Sequence, residues 1–277
     1  MKPADPIRRT NDQWRVAALG RQRQYHAAAA TDVGCVRSIN EDAVALRVDS
    51  RADDLQGLAV VCDGMGGHEA GEVAASLAVD TIVQTVQRAV DERQQTWPAT
   101  LVDALQAANA RIRAASRTQP TQQGMGSTCC AVALVDGAVW CAHVGDTRCY
   151  LLRDGDLLVM TQDHSAVMHM VRQGLLSTDD ARQHPDRNVI SRALGSQEAV
   201  AVTAWTHPVA LRHGDRLLLC SDGLYDLVAH DVLGEVLAAD VPAAERAAQL
   251  VARAREAGGH DNISVVIIDV VDEDTTP

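Results

Sequence analysis

The sequence predicts an α+β fold: a sandwich of two antiparallel sheets with helices on its outer faces. Nine apolar, β-branched or Cys-rich runs supply the strands, at 25–31, 42–49, 56–63, 127–136, 138–145, 148–153, 200–206, 215–221 and 262–271. Two links between them, Asp136-Gly137 and Asp154-Gly155, have the composition of tight hairpin turns, which join antiparallel strands. Nine strands with such hairpins favour a sandwich over one open sheet. Amphipathic stripes between the strands supply the covering helices.

The elements follow in order. Residues 1–23 carry six basic side chains against Asp5 and Asp12, with little apolar periodicity. They read as a flexible N-terminal extension, either a basic contact arm or a solvated leader. Residues 24–272 read as one domain and 273–277 as a short tail. After the third strand, Val79, Ile82, Val83, Val86 and Val90 recur at helical spacing. Leu101, Leu105, Ala108 and Ile112 form a second stripe, whose start is set by Trp97-Pro98. Ala244, Ala247, Ala248 and Val251 make a third before the last strand. The segment 161–199 is polar, with a short helical pattern around Val167, Met170 and Val171. An insertion of that length reads as a lid or binding loop.

The formal net charge of −12 argues against nucleic-acid binding, since phosphate affinity comes from Lys and Arg. No apolar run is long enough to cross a bilayer, and the N-terminus lacks the apolar core of a signal peptide. The seven Cys sit singly or as one pair inside apolar runs, without the CxxC spacing of a zinc site. A reducing cytoplasm is the expected setting, with no membrane partner and a monomeric chain.

Acidic residues recur where strands begin or end: Glu41-Asp42, Asp63-Gly64, Gly145-Asp146, Asp222-Gly223 and Asp261-Asn262. One Asp-Gly is usually only a turn. Several, each at the tip of an apolar strand, converge if the strand ends share one edge of a sandwich. Two carboxylates ~4 Å apart repel by about 4 kcal/mol at an effective dielectric near 20. Such a cluster must bind protons or cations. Lys2 is the only lysine, and Arg37 alone does not neutralise these six acids. Oxygen-only ligands favour hard ions such as Mg²⁺ or Mn²⁺. A metal pair bridged by a carboxylate is a known device for attacking phosphoesters. Arg37, four residues before Glu41, carries a planar fork suited to phosphate.

Eight motifs stand in order: TDVGCVRSINEDA (31–43), VVCDGMGGHEAGEVAAS (60–76), GSTCCAVAL (126–134), AHVGDTRCYLLRDG (142–155), TQDHS (161–165), HPDRNVISRALG (184–195), DRLLLCSDGLYD (215–226) and GGHDNISVVII (258–268). Together they resemble the bacterial branch of the metal-dependent PPM/PP2C protein serine/threonine phosphatases, over about residues 25–271. The resemblance implies a four-layer α-β-β-α sandwich with two Mn²⁺ or Mg²⁺ ions at one end of the sheets. It implies that Asp63 bridges the ions. The Gly64 carbonyl and Glu41 would bind one ion, Asp222 and Asp261 the other. Asp146 would help hold a weaker third ion, Asp42 would orient metal-bound water, and Arg37 would bind phosphate. Segment 161–199 corresponds to the family's mobile flap.

One motif is loose. Other branches of the family carry a His directly after the Asp-Gly, where this chain has Met65. The nearest is His68, for which two readings stand: a proton donor to the leaving serine oxygen, or a loop residue outside the chemistry. Metal-bound water is the alternative acid. His164 and His260 lie near flap and metal residues in sequence and read as supporting at most. Thr128 reads as a strand residue, with a hydrogen bond to metal-bound water as its functional alternative.

The expected activity is hydrolysis of phosphoserine and phosphothreonine in proteins by water bridging two ions, with no phosphoenzyme. The resemblance makes a bacterial Ser/Thr kinase the expected counterpart. Two rivals are a phosphatase of anti-sigma-factor antagonists and a pseudophosphatase that only binds phosphoproteins. The second is disfavoured because Asp63, Asp222 and Asp261 are all present.

Overall fold

The computed structural model describes residues 14–17, 23–48, 55–66, 70–93 and 96–272. The chain begins with β1 (Trp14–Ala17), β2 (Arg23–Asp32), β3 (Asp42–Val48) and β4 (Gly57–Met65). Two long helices follow, α1 (Ala70–Asp91) and α2 (Trp97–Thr118), the latter with its Pro in the first turn as predicted. Then come β5 (Gly126–Ser127), β6 (Cys129–Val135), β7 (Ala138–Val144), β8 (Arg148–Arg153) and β9 (Asp156–Val159). The polar segment contains α3 (Ala166–Arg172) and α4 (Thr178–Gln183). The chain continues with β10 (Thr203–Ala204), β11 (Val209–Ala210), β12 (Arg216–Cys220), α5 (Asp222–Tyr225), α6 (His230–Ala238), α7 (Ala243–Glu256) and β13 (Ile263–Asp272).

One sheet has the order β1-β2-β13-β12-β8-β9. The other runs β10-β7-β6-β4-β3, with β11 also on β7 and β5 on β4. Neighbours pair antiparallel throughout. The two Asp-Gly links close the β6–β7 and β8–β9 hairpins, and all four of their residues have positive φ, the backbone hand that suits a two-residue turn.

Side-chain alternation divides the interior into three cores. Ala59, Val61, Cys130, Val132, Leu217, Leu219, Val266 and Ile268 meet between the sheets. The opposite faces of the same strands, through Val60, Cys62, Ala131 and Ala133, pack on α1 and α2. Leu218, Cys220, Val265 and Ile267 pack on α5, α6 and α7. Strands covered on both faces read as unbroken apolar runs, which is why LAVVC and RLLLC show no polar alternation. A buried two-pronged pair, Arg246 to Asp269 at 2.7 and 2.9 Å, ties α7 to β13.

Three differences from the sequence reading stand out. Trp14–Ala17, inside the predicted extension, forms an edge strand on β2; the alternation of WRVA is enough to pair with an open edge, and the rest of 1–22 lies outside the described residues. The predicted strand 200–206 narrows to Thr203–Ala204, because β7 divides its free edge between β10 and β11. Strand 127–136 is interrupted at Thr128, where the chain turns toward Asp63. No helix among the described residues is long and apolar enough to cross a membrane.

Candidate active site

The tips of β3, β4, β12 and β13 meet at one end of the sandwich, with the β7–β8 turn beside them. Asp42 opens β3 and Asp63 lies near the end of β4, and the two are direct cross-strand partners. Asp63 is held by its backbone: its N–H donates to Thr128 Oγ1 at 3.1 Å, and its carbonyl accepts the Thr128 N–H at 2.8 Å. Thr128 therefore positions the main chain of Asp63, a role distinct from both readings of the sequence.

Gly64 continues β4, and its N–H donates to the Glu41 carbonyl at 3.1 Å. A Cβ there would stand 2.0 Å from the Gly71 carbonyl oxygen and 2.6 Å from that of Glu41, so only glycine fits. Glu41 is placed from the far end of the chain. Its N–H donates to Asn262 Oδ1 at 2.8 Å, while Asn262 Nδ2 donates to the carbonyls of Val33 and Ile39. The sequence reading named Asn262 only as a strand opener; its partners are loop carbonyls, which leave no local pattern. Ser221 was missed as well. Its hydroxyl donates to Asp42 Oδ2 at 2.7 Å and accepts the Ser264 N–H.

Asp222 starts α5 directly after β12, and Asp261 precedes β13. Arg37 is half exposed, and its guanidinium donates to Asp261 Oδ2 at 2.7 Å. Asp146 is buried in the β7–β8 turn, where its carbonyl accepts the Tyr225 hydroxyl at 3.0 Å. His68 lies outside the described residues, and His260 is exposed beside Asp261.

The electrostatics are those of crowded acids. Burial first, then Asp222, Asp42, Asp146 and Asp261, push the Asp63 carboxyl well above the carboxylate range. Burial raises Asp42 to about 7 against the Ser221 hydrogen bond, Asp146 to about 8, and Asp222 to about 6. Burial also raises Glu41, with Arg37 opposing. Among the described residues no three acid, His or Cys side chains already stand in a finished ligating geometry. The donor set nevertheless fits hard cations: every contributor is an oxygen, and Glu41 Oε1 and Asp222 Oδ1 are buried without a hydrogen-bond partner. A divalent cation discharges this cluster better than protons, because it brings two charges and accepts several oxygens at once.

Comparison with known proteins places the site in context. The protein phosphatase 2C family model matches residues 36–262. The serine/threonine phosphatase stp of Listeria monocytogenes is 36% identical over 248 residues, covering 88% of this chain and 95% of the relative. The serine/threonine protein phosphatase PstP of Mycobacterium tuberculosis is 39% identical over 248 residues, or 89% of this chain, which spans only 45% of that protein. A crystal structure of the M. tuberculosis phosphatase superimposes with a TM-score of 0.77 at 36% identity, covering 90% of this chain and 99% of that one. A structure of the PstP catalytic domain in complex with two manganese ions gives 0.74 at 36% identity, covering 90% and 100%. On fold, motif order and likeness over nearly its whole length, the chain belongs to the protein phosphatase 2C family of metal-dependent serine/threonine phosphatases.

Proposed function

We propose that this chain removes phosphate from phosphoserine and phosphothreonine in proteins at the acidic end of its sandwich, using two divalent cations, Mn²⁺ or Mg²⁺. The observation that carries this reading is Asp63, half-buried at the meeting point of four other aspartates and fixed through its backbone by Thr128. In the proposal Asp63, Glu41, the Gly64 carbonyl, Asp222 and Asp261 would hold the two ions. Asp146 serves a third, weaker ion. When bound, the ions supply water acidic enough to attack at neutral pH and positive charge for the phosphoryl oxygens.

The remaining work belongs to this chain's own residues. Arg37, at the exposed rim, grips two phosphate oxygens and turns the ester so that its leaving oxygen points away from the acids. Asp42, held by Ser221 behind Asp63, accepts a hydrogen bond from the attacking water or takes its proton. His68 is the proposed donor to the leaving serine oxygen. The segment 161–199 covers the approach to the site. A Ser/Thr kinase that phosphorylates the same proteins is the proposed counterpart. The free state of all seven cysteines suits a cytoplasmic setting.

The test is release of phosphate from a phosphothreonine peptide by protein stripped with EDTA, then supplied with Mn²⁺. Activity should be absent after stripping and return with metal. Full activity in excess EDTA overturns the two-cation reading.

A further inference from the structure

His164 is buried at the base of the flap segment, 3% exposed, and takes no part in the chemistry above. It grips Gly145 twice. Its main-chain N–H donates to the Gly145 carbonyl at 2.9 Å, and its ring Nδ1 accepts the Gly145 N–H at 3.1 Å. Ring Nε2 lies 2.9 Å from Thr203 Oγ1 and 3.2 Å from Arg192. A neutral imidazole has one N–H; since Nδ1 accepts, Nε2 carries the hydrogen and donates to Thr203. The ring also stacks on His143, with centroids 4.8 Å apart. Gly145 has φ +95, and a Cβ there would come within 2.6 Å of the Thr128 side chain. The turn is therefore pressed against the residue that holds Asp63.

The next residue is Asp146, and it is held from its other side. Tyr225, three residues after Asp222, donates to the Asp146 carbonyl. The Arg148 guanidinium lies 3.5 Å over the Tyr225 ring and forks onto Asp163, the neighbour of His164, at 2.7 to 3.2 Å. These contacts close a circuit from Asp163 through Arg148, Tyr225, Asp146 and Gly145 back to His164.

We infer that His164 is a positioning residue for Asp146. By fixing the Gly145–Asp146 turn from the flap side, it sets where the Asp146 carboxylate stands and how well that carboxylate holds a divalent cation. The inference rests on the reading of Asp146 as ligand of the weaker ion. It also makes the base of the flap and that ion's site one mechanical unit.

The chemistry supplies a discriminating pair of variants. In His164→Asn the amide oxygen falls where Nδ1 stands, so the acceptor for Gly145 is kept. In His164→Gln the polar group falls near Nε2, so the Thr203 contact is kept and the Gly145 acceptor is lost. Mn²⁺ binding to the full chain is measured by calorimetry and by the electron paramagnetic resonance of free Mn²⁺, for native protein, both variants and Asp146→Asn. Asp146→Asn should abolish the weakest binding step. His164→Gln should weaken that step about 10–100-fold, as loss of an outer-shell partner does, and leave the tighter steps unchanged. His164→Asn should restore most of the loss. Unchanged binding in Asp146→Asn overturns the ligand reading and the inference with it. Loss in Asp146→Asn with native binding in His164→Gln overturns the positioning role alone, as does an Asn variant no better than Gln. If His164→Gln fails to fold, the native protein decides: on Mg²⁺ titration the Gly145 amide and His164 Nδ1 resonances must move with the weak step, and their standing still overturns the role.

Discussion

Asp42 and Asp63 face each other directly across the β3–β4 pair. Like charges at such positions oppose pairing, and both carboxyls are raised in the fold, Asp42 to about 7. Asp222 and Asp146 rise to about 6 and 8. An unfolded Asp titrates near 3.9, so between that value and about 8 the fold binds more protons than the open chain. The linkage then has a definite sign: stability falls as pH rises through this window and levels off above it. The melting temperature of EDTA-treated protein should decline from about pH 5 to pH 8, and Asp42→Asn should flatten the decline. A melting temperature that climbs across the window contradicts the crowding.

Asp63→Asn and Asp222→Asn should each lower kcat by orders of magnitude. In EDTA neither should lower the melting temperature, because each removes a charge from a repelling group. Retention of more than about a tenth of native turnover by either variant refutes its place among the ligands, since metal activation is asked to supply most of the rate enhancement.

Arg37 is expected to act on binding more than on turnover. Its pair with Asp261 is exposed, and such pairs contribute about 0–1 kcal/mol, so Arg37→Ala should leave the melting temperature nearly unchanged. KM should rise, with a smaller fall in kcat, since phosphate oxygens carry charge in both ground and transition states. Arg37→Lys should recover part of the loss. An unchanged KM identifies Arg37 as a partner of Asp261 only.

At the N-terminus two truncations separate tail from strand. Removing residues 1–13 should leave hydrolysis of p-nitrophenyl phosphate and solubility as they are. Removing 1–22 should also spare small-substrate hydrolysis, because every motif lies beyond the cut. It strips β1 from β2, however, and bares the backbone edge of Gln24–Ala27, which lengthens the open edge of β2. Light scattering should then show association that the shorter deletion lacks; monodisperse protein after both cuts means β1 is dispensable as an edge cover.

The central strands were legible in the sequence because β4, β6 and β12 are covered on both faces and read as apolar runs, and two hairpins because their Asp-Gly links supply positive φ. The long helices were legible from their stripes. Other parts were not. Helix α6, HDVLGEVLA, carries a Gly and lacks a side-chain cap, so its stripe is short and weakly bounded. Helix α5 is one turn, set by packing of Leu224 rather than by periodicity. The acidic centre was visible as a list of tips, while its supports were hidden. Thr128, Ser221, Asn262 and His164 all act through main-chain atoms or buried partners far away in sequence, where spacing carries no trace.

Asn262 has a consequence for how the protein comes into being. Glu41 is set in place by a side chain 221 residues downstream, and β13 lies between β2 and β12, joining strands that no other segment connects. A chain emerging from the ribosome can assemble α1, α2 and the β3–β4–β6–β7 sheet early. It holds Asp63 and Asp146 by then, but half of the six-stranded sheet waits for its middle strand, and the loop bearing Glu41 waits for its clamp. Activity should therefore appear only once the last strand inserts, and a chain stopped before Asn262 should lack the clamp on Glu41 and with it a working centre.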